Sequence, residues 1–162
     1  MKDSMNKVQL IERMRRSRAE WEAVIELLED DQLTLPGVCG AWLVKSLMAP
    51  ISWYEGEMIN VLQTRALVGS ELWSLSVDQR NARMYEKQKE SLLQDIRKEP
   101  REIFDMLLEL MVGLKEQALH DPSWLSEMPQ EWQPWRVLAS NTYEQYEDHK
   151  AQVQRWLIHR RK

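Results

Sequence analysis

The feature that most constrains this chain is the scarcity of residues that break helices. Its 162 residues hold only five glycines and six prolines. The stretches between them are rich in helix formers, with apolar residues recurring about every 3.6 positions. That pattern predicts an all-α fold. A first helix from about Asn6 to Glu29 sets Leu10, Met14, Trp21, Val24, Ile25 and Leu28 on one stripe. Pro36, Gly37 and Gly40 mark a loop from Asp30 to Ala41. A second helix runs from about Trp42 to Val68, where Gly69-Ser70 supplies the stop. The stretch from Glu71 to Glu90 is less regular, anchored by Trp73, Leu75 and Tyr85, with room for one short helix. A third helix, about Ser91 to Leu119 with Ser91 as N-cap, turns Leu93, Ile96, Phe104, Leu107, Leu108, Met111 and Leu114 inward. Prolines and tryptophans between His120 and Pro134 suit an ordered loop pinned by Trp124, Trp132 and Trp135 and lidding one end. A last helix, about Pro134 to His159, places Leu138, Thr142, Gln145, His149, Val153 and Trp156 near one face. No strand pattern or internal repeat is visible. Four long helices with lengthy connections fit a bundle with at least one crossover.

Composition narrows the setting. At 43% hydrophobic and 30% charged, residues 1–162 suit one domain with its own core. Cys39 has no cysteine partner, and MKDSMNKVQL lacks the apolar region of a secretory signal, so a soluble, cytoplasmic protein is expected. No apolar run approaches the roughly 18 to 20 residues that span a bilayer, which argues against a membrane partner. The net charge of -4 argues against nucleic acid as a partner, because counterion release needs clustered cations. Arg13, Arg15, Arg16 and Arg18 are offset by Glu12, Glu20 and Glu22 and read as a solvated helix face.

The run from Gly37 to Glu55, GVCGAWLVKSLMAPISWYE, resembles the signature G-V-x-G-x-W-S-V-K-D-L-x-A-H-I of the DinB/DfsB family. Gln63 to Trp73, Arg80-Asn81, Met128 to Trp135 and Asn141 to His149 resemble later blocks in the same order. The resemblance implies a DinB-like four-helix bundle with long connections. It also implies a metal site built from one histidine on the second helix and an H-x-x-x-H pair on the last, where i and i+4 share a face. These positions fall on Pro50, Gln145 and His149. Proline has no side-chain donor and a glutamine amide is a poor ligand beside one imidazole, so no metal and no other cofactor is expected. Leu43 and Ser46 replace the signature serine and aspartate, removing polarity from the second-helix wall. Pro50 is expected to kink or loosen that helix at a cost of about 3 kcal/mol, and Pro100 raises the same question unless the third helix breaks at Lys98-Glu99. A natural metal-free member, a pocket for an apolar small molecule and deliberate replacement of the ligand positions all accommodate these departures.

His149 is the candidate catalytic residue, as general base or nucleophile, with Gln145 one turn back and Glu55 or Glu57 opposite it. The bland alternative is a leftover ligand satisfied by a hydrogen bond. The expected pocket lies between the second and fourth helices, lined by Leu43, Ser46, Pro50, Trp53, Tyr54, Glu57, Thr142 and Gln145. Cys39 reads as a structural thiol, Lys45 as solvated, and His120 and His159 as exposed. The leading function is binding or transforming a small molecule without a metal, by hydrolase-type or transferase-type chemistry if an enzyme. The alternative is a catalytically silent bundle that sequesters a ligand or acts as a homodimeric interaction module. Metal binding through Glu57 or Asp148 is a third possibility.

Overall fold

A computed structural model describes residues 4–39, 42–88 and 93–160, with side chains at all of these except 36–39, 42–44, 87–88, 93–100 and 160. The elements are α1 (Lys7–Glu26), α2 (Asp30–Leu33), β1 (Pro36–Cys39), β2 (Trp42–Leu43), α3 (Met48–Thr64), α4 (Val77–Gln88), α5 (Leu93–Val112), α6 (Pro134–Asn141) and α7 (Tyr143–Arg160). The fold is all-α, and α1, α3, α5 and α7 are its long members. α3 packs chiefly on α5, and α1 on α7. Among the described residues no helix is long and apolar enough to cross a membrane.

α1 starts where the sequence offers a cap. Asn6 Oδ1 accepts the Gln9 amide at 2.8 Å and Gln9 Oε1 accepts the Asn6 amide at 3.0 Å, a reciprocal pair that satisfies two orphan donors. It stops three residues before Glu29, because Glu29 opens α2 instead, donating its amide to Gln32 Oε1 at 2.8 Å. The expected loop at 30–41 therefore holds a short helix and a small antiparallel ladder, Pro36 opposite Leu43 and Cys39 opposite Trp42.

The second long helix begins later than expected. Residues 42–43 belong to the ladder, Val44–Leu47 form a 3-10 turn, and α3 opens at Met48. Pro50 is thus third in the helix, where its missing N–H has no intrahelical partner to lose. α3 accordingly runs as one helix from Met48 to Thr64 with Pro50 in its first turn. At the far end Arg65 takes a left-handed conformation at φ 55°, so α3 ends before Gly69 is reached. Tertiary contacts hold that turn: the Arg65 carbonyl accepts the Ser126 amide at 2.9 Å, the Leu67 amide donates to Ser126 at 2.7 Å, and the guanidinium lies 4.7 Å over Trp124. The tryptophan-rich loop is strapped to the end of α3 in this way.

α5 runs unbroken through Pro100 and ends at Val112, short of Leu119, with a separate 3-10 turn at Glu116–Leu119. The expected cap Ser91 lies outside the described residues. The last helix is two helices. Asn141 Nδ2 and Thr142 Oγ1 donate to the carbonyls of Val137 and Leu138 at 2.8 and 2.7 Å, which are acceptors an unbroken helix would use for main-chain amides. The Thr142 amide goes to Ala139 instead, and its backbone leaves helical space at φ -125°, ψ -95°.

The apolar stripes meet in one cluster that includes Leu10, Met14, Trp21, Ile51, Met58, Leu107, Met111, Leu138, Tyr146 and Val153. Val24, Leu108 and Leu114 pack at its margin.

Candidate functional site

The interior of the bundle carries charge. Arg18, read from the sequence as solvated, is buried because it continues the α1 stripe between Met14 and Trp21. Its Nη1 donates to Glu55 Oε2 at 2.8 Å and its Nε to Glu22 Oε1 at 3.1 Å. Tyr146 donates its hydroxyl to the same Glu55 oxygen at 2.6 Å, and Arg101 reaches Glu22 at 2.9 Å. One hydrogen-bonded chain thereby joins α1, α3, α5 and α7. Glu55 Oε1 is buried and has no hydrogen-bond partner among the described residues. Burial pushes the Glu55 carboxyl up to about 7, although Arg18 and Tyr146 pull it back. Burial, with the Glu55 charge adding to it, raises the Tyr146 phenol well above its ordinary value. The guanidinium of Arg18 lies 5.1 Å from the Phe104 ring and 5.3 Å from that of Tyr146.

The residues expected to line a pocket on α3 are occupied by protein. Trp53, Tyr54 and Trp73 stand with ring centroids 4.8 to 5.8 Å apart, and Arg80 fills the space they frame. Its guanidinium is 4.7, 5.8 and 5.9 Å from Trp73, Trp53 and Tyr54, and Nη1 donates to the Tyr54 hydroxyl at 3.4 Å. Burial raises the Tyr54 phenol, with Arg80 opposing. Glu57 does not face His149. Its Oε1 accepts the Ser70 amide at 2.8 Å and the Trp73 indole N–H at 2.7 Å, fixing the loop after α3. Ser46 and Pro50 are buried, and so is Lys45, against the expectation of a solvated amine. The side chains of Cys39, Trp42 and Leu43 lie outside the described residues.

Thr142, at the break between α6 and α7, is fully buried, and His149 on α7 is nearly so. His149 Nδ1 lies 2.8 Å from the Gln145 carbonyl, so Nδ1 carries the proton and donates it. Burial lowers the imidazole's pKa and favours the neutral ring, which meets Trp21 edge-on at 6.2 Å. The carboxylates expected to orient it are both engaged elsewhere, Glu55 by Arg18 and Glu57 by the loop. The Gln145 amide donates to Ser140 O at 3.3 Å. Pro50, Gln145 and His149 together offer one imidazole and one amide, a donor set that does not fit a divalent metal held by three nitrogens. Among the described residues no group of three or more His, Cys, Asp or Glu side chains is arranged to hold a metal ion. His120 pairs with Glu116 at 3.3 Å, and His159 is exposed within the last turn of α7 rather than in a tail.

A cleft of about 1680 Å³ lies elsewhere, between the start of α1, the C-terminal half of α3, residues 67–73 and α6. Met58, Val61, Leu67, Val68, Trp73, Trp132, Trp135 and Val137 give it apolar walls, and Glu12, Arg13, Arg16, Glu131 and Arg136 bring charge. None of Ser46, Pro50, Trp53, Tyr54, Glu57, Thr142, Gln145 or His149 lines it. At the expected place Arg80 sits among the rings of Trp53, Tyr54 and Trp73, and the backbone leaves helical geometry at Thr142, between α6 and α7. Arg13 is fixed beside the cleft by two bonds to Glu147, at 2.7 and 2.8 Å, and by Tyr143 beneath its guanidinium at 4.7 Å.

No protein-family model matches the sequence, and no curated protein matches it. Solved structures do match. DfsB, described as a sibling lethal factor precursor, superposes with a TM-score of 0.82 at 15% identity over 99% of each chain. The colibactin self-resistance protein ClbS, in complex with double-stranded DNA, gives 0.79 at 11% identity over 94% of this chain and 96% of its own. An uncharacterised protein from Escherichia coli UTI89 gives 0.77 at 11% identity over 98% and 96%. The ClbS complex overturns the expectation that acidic composition sets nucleic acid aside, because net charge describes a whole chain while a contact is made by one face. At these identities the likeness concerns architecture, and on that ground this chain has the DinB/ClbS-like fold.

Proposed function

We propose that this protein binds a small organic molecule, without a metal, in the cleft between α1, α3 and α6. The observation that carries the reading is the cleft's apolar wall. Val68, Trp73 and Trp132 are large apolar side chains left exposed, at 48%, 38% and 49%, and all three line it. Apolar side chains gathered in a concave site commonly mark a binding surface. The role that follows is sequestration or carriage. A chemical role for His149 has less support, since the ring is held by its own helix away from the cleft. The test is a fluorescence titration with the neutral dye N-phenyl-1-naphthylamine. Saturable binding that is lost in Ser140→Trp, an exposed position on the cleft wall, supports the reading. Equal binding by that variant, or none by the parent chain, overturns it.

A second reading rests on the ClbS complex with double-stranded DNA. Arg16 and Arg136, both exposed, could meet phosphates. Anisotropy of a labelled duplex at about 50 mM and about 200 mM salt decides this, because phosphate contacts weaken steeply over that range. No binding at the lower salt removes the reading.

A further inference from the structure

Resting on the cleft reading, we infer that the molecule bound there is a flat, uncharged aromatic or polycyclic compound, held chiefly by stacking on Trp132 and Trp73. Charge does not select the ligand. Arg13, fixed at the cleft, already spends its charge on Glu147. What remains is two exposed cations, Arg16 and Arg136, against two exposed anions, Glu12 and Glu131, so neither sign is in excess.

The aromatic surfaces are prepared in a way the charges are not. Trp73 has its indole N–H tied to Glu57 and Arg80 stacked against its ring, yet it stays 38% exposed and reaches the cleft. Trp132 is 49% exposed, with its backbone amide bonded to Pro129 O at 3.1 Å. The Trp73 indole, pinned in this way, loses little conformational freedom when a flat partner stacks on it, while at Trp132 the backbone is fixed and the ring offers the larger open face. The cleft is a half-open groove of about 1680 Å³, with room for a several-ring ligand.

The experiment compares N-phenyl-1-naphthylamine with 8-anilinonaphthalene-1-sulfonate, dyes of similar ring system that differ by one negative charge. The full chain should bind the neutral dye at least as tightly as the sulfonate, with affinity unchanged between low and high salt. Trp132→Ala should weaken the neutral dye about tenfold and Trp132→Phe should restore most of it, since stacking on one aromatic face is of that order. A sulfonate preference of tenfold or more, strong salt dependence, or an unchanged Trp132→Ala overturns the ligand class while leaving the cleft reading intact. Binding of neither dye overturns the cleft reading itself.

Discussion

Arg18 and Glu55 form an ion pair at 2.8 Å with side chains 3% and 0% exposed, joining α1 to α3 in the middle of the bundle. A pair sealed in this way is expensive to break from one side, because the surviving charge loses its counter-ion away from water; in Arg18→Met the Glu55 carboxylate would keep only the Tyr146 hydroxyl of the two donors that bond it here. Arg18→Met should therefore cost about 3 to 5 kcal/mol in urea denaturation. Removing both charges in Arg18→Met/Glu55→Leu should recover most of that loss. A double variant whose loss equals the sum of the single losses would show that the two residues do not act as a unit.

The same carboxyl sets a pH dependence. Its folded value of about 7 lies above its ordinary 4.5. Its contribution to stability is therefore complete below 4.5 and is lost as pH rises through 7, a change of roughly 3 kcal/mol. His149 works in the opposite sense. Its lowered value favours the folded state above about 6.5 and withdraws that support as pH falls. The clean measurement is thus a difference: the parent chain should lose roughly 3 kcal/mol relative to Glu55→Gln between about pH 5 and pH 8. Parallel profiles would contradict the assignment.

Gly69 is a tight place. A Cβ there would sit 2.5 Å from the Trp73 indole nitrogen and 2.8 Å from Glu57 Oε1, the two atoms whose hydrogen bond closes the loop. Gly69→Ala should lower stability by about 1 to 3 kcal/mol and change the environment of Trp73, seen as a shift in tryptophan emission. An unperturbed spectrum would mean the loop is held by other contacts.

His149 can be observed directly. Histidine resonances followed by NMR should give His149 a titration midpoint below that of an ordinary imidazole, with the proton on Nδ1 at neutral pH. A midpoint at or above the ordinary value would reopen its role as a base.

Much of the bundle was legible in the sequence because apolar spacing reports directly on which face of a helix is buried. Leu10, Met14, Trp21, Ile25, Phe104, Leu107, Met111 and Val153 all lie where the period puts them. Helix ends were less legible. Arg65 ends α3 only because Ser126 and Trp124, sixty residues along the chain, hold it. The break at Thr142 depends on two side chains choosing carbonyl acceptors over water. The site was hardest to read, since composition treats arginine and glutamate as surface residues. A signal was present nonetheless: Arg18 falls four residues from Met14 and three from Trp21, and Glu55 falls four from Ile51 and three from Met58. A charge at a stripe position in two helices implies a buried pair. Tyr146 likewise lies between Thr142 and Val153 at helical spacing, one residue from Gln145, to which the family pattern drew attention.

The cage of Trp53, Tyr54 and Trp73 is a cation receptor that the chain keeps occupied with its own side chain. Taking the occupant away would leave an empty seat of known preference rather than a featureless hole. Arg80→Ala should therefore be restored by a visitor, its melting temperature rising on addition of millimolar guanidinium or tetramethylammonium before any denaturing effect sets in, while the parent chain stays indifferent.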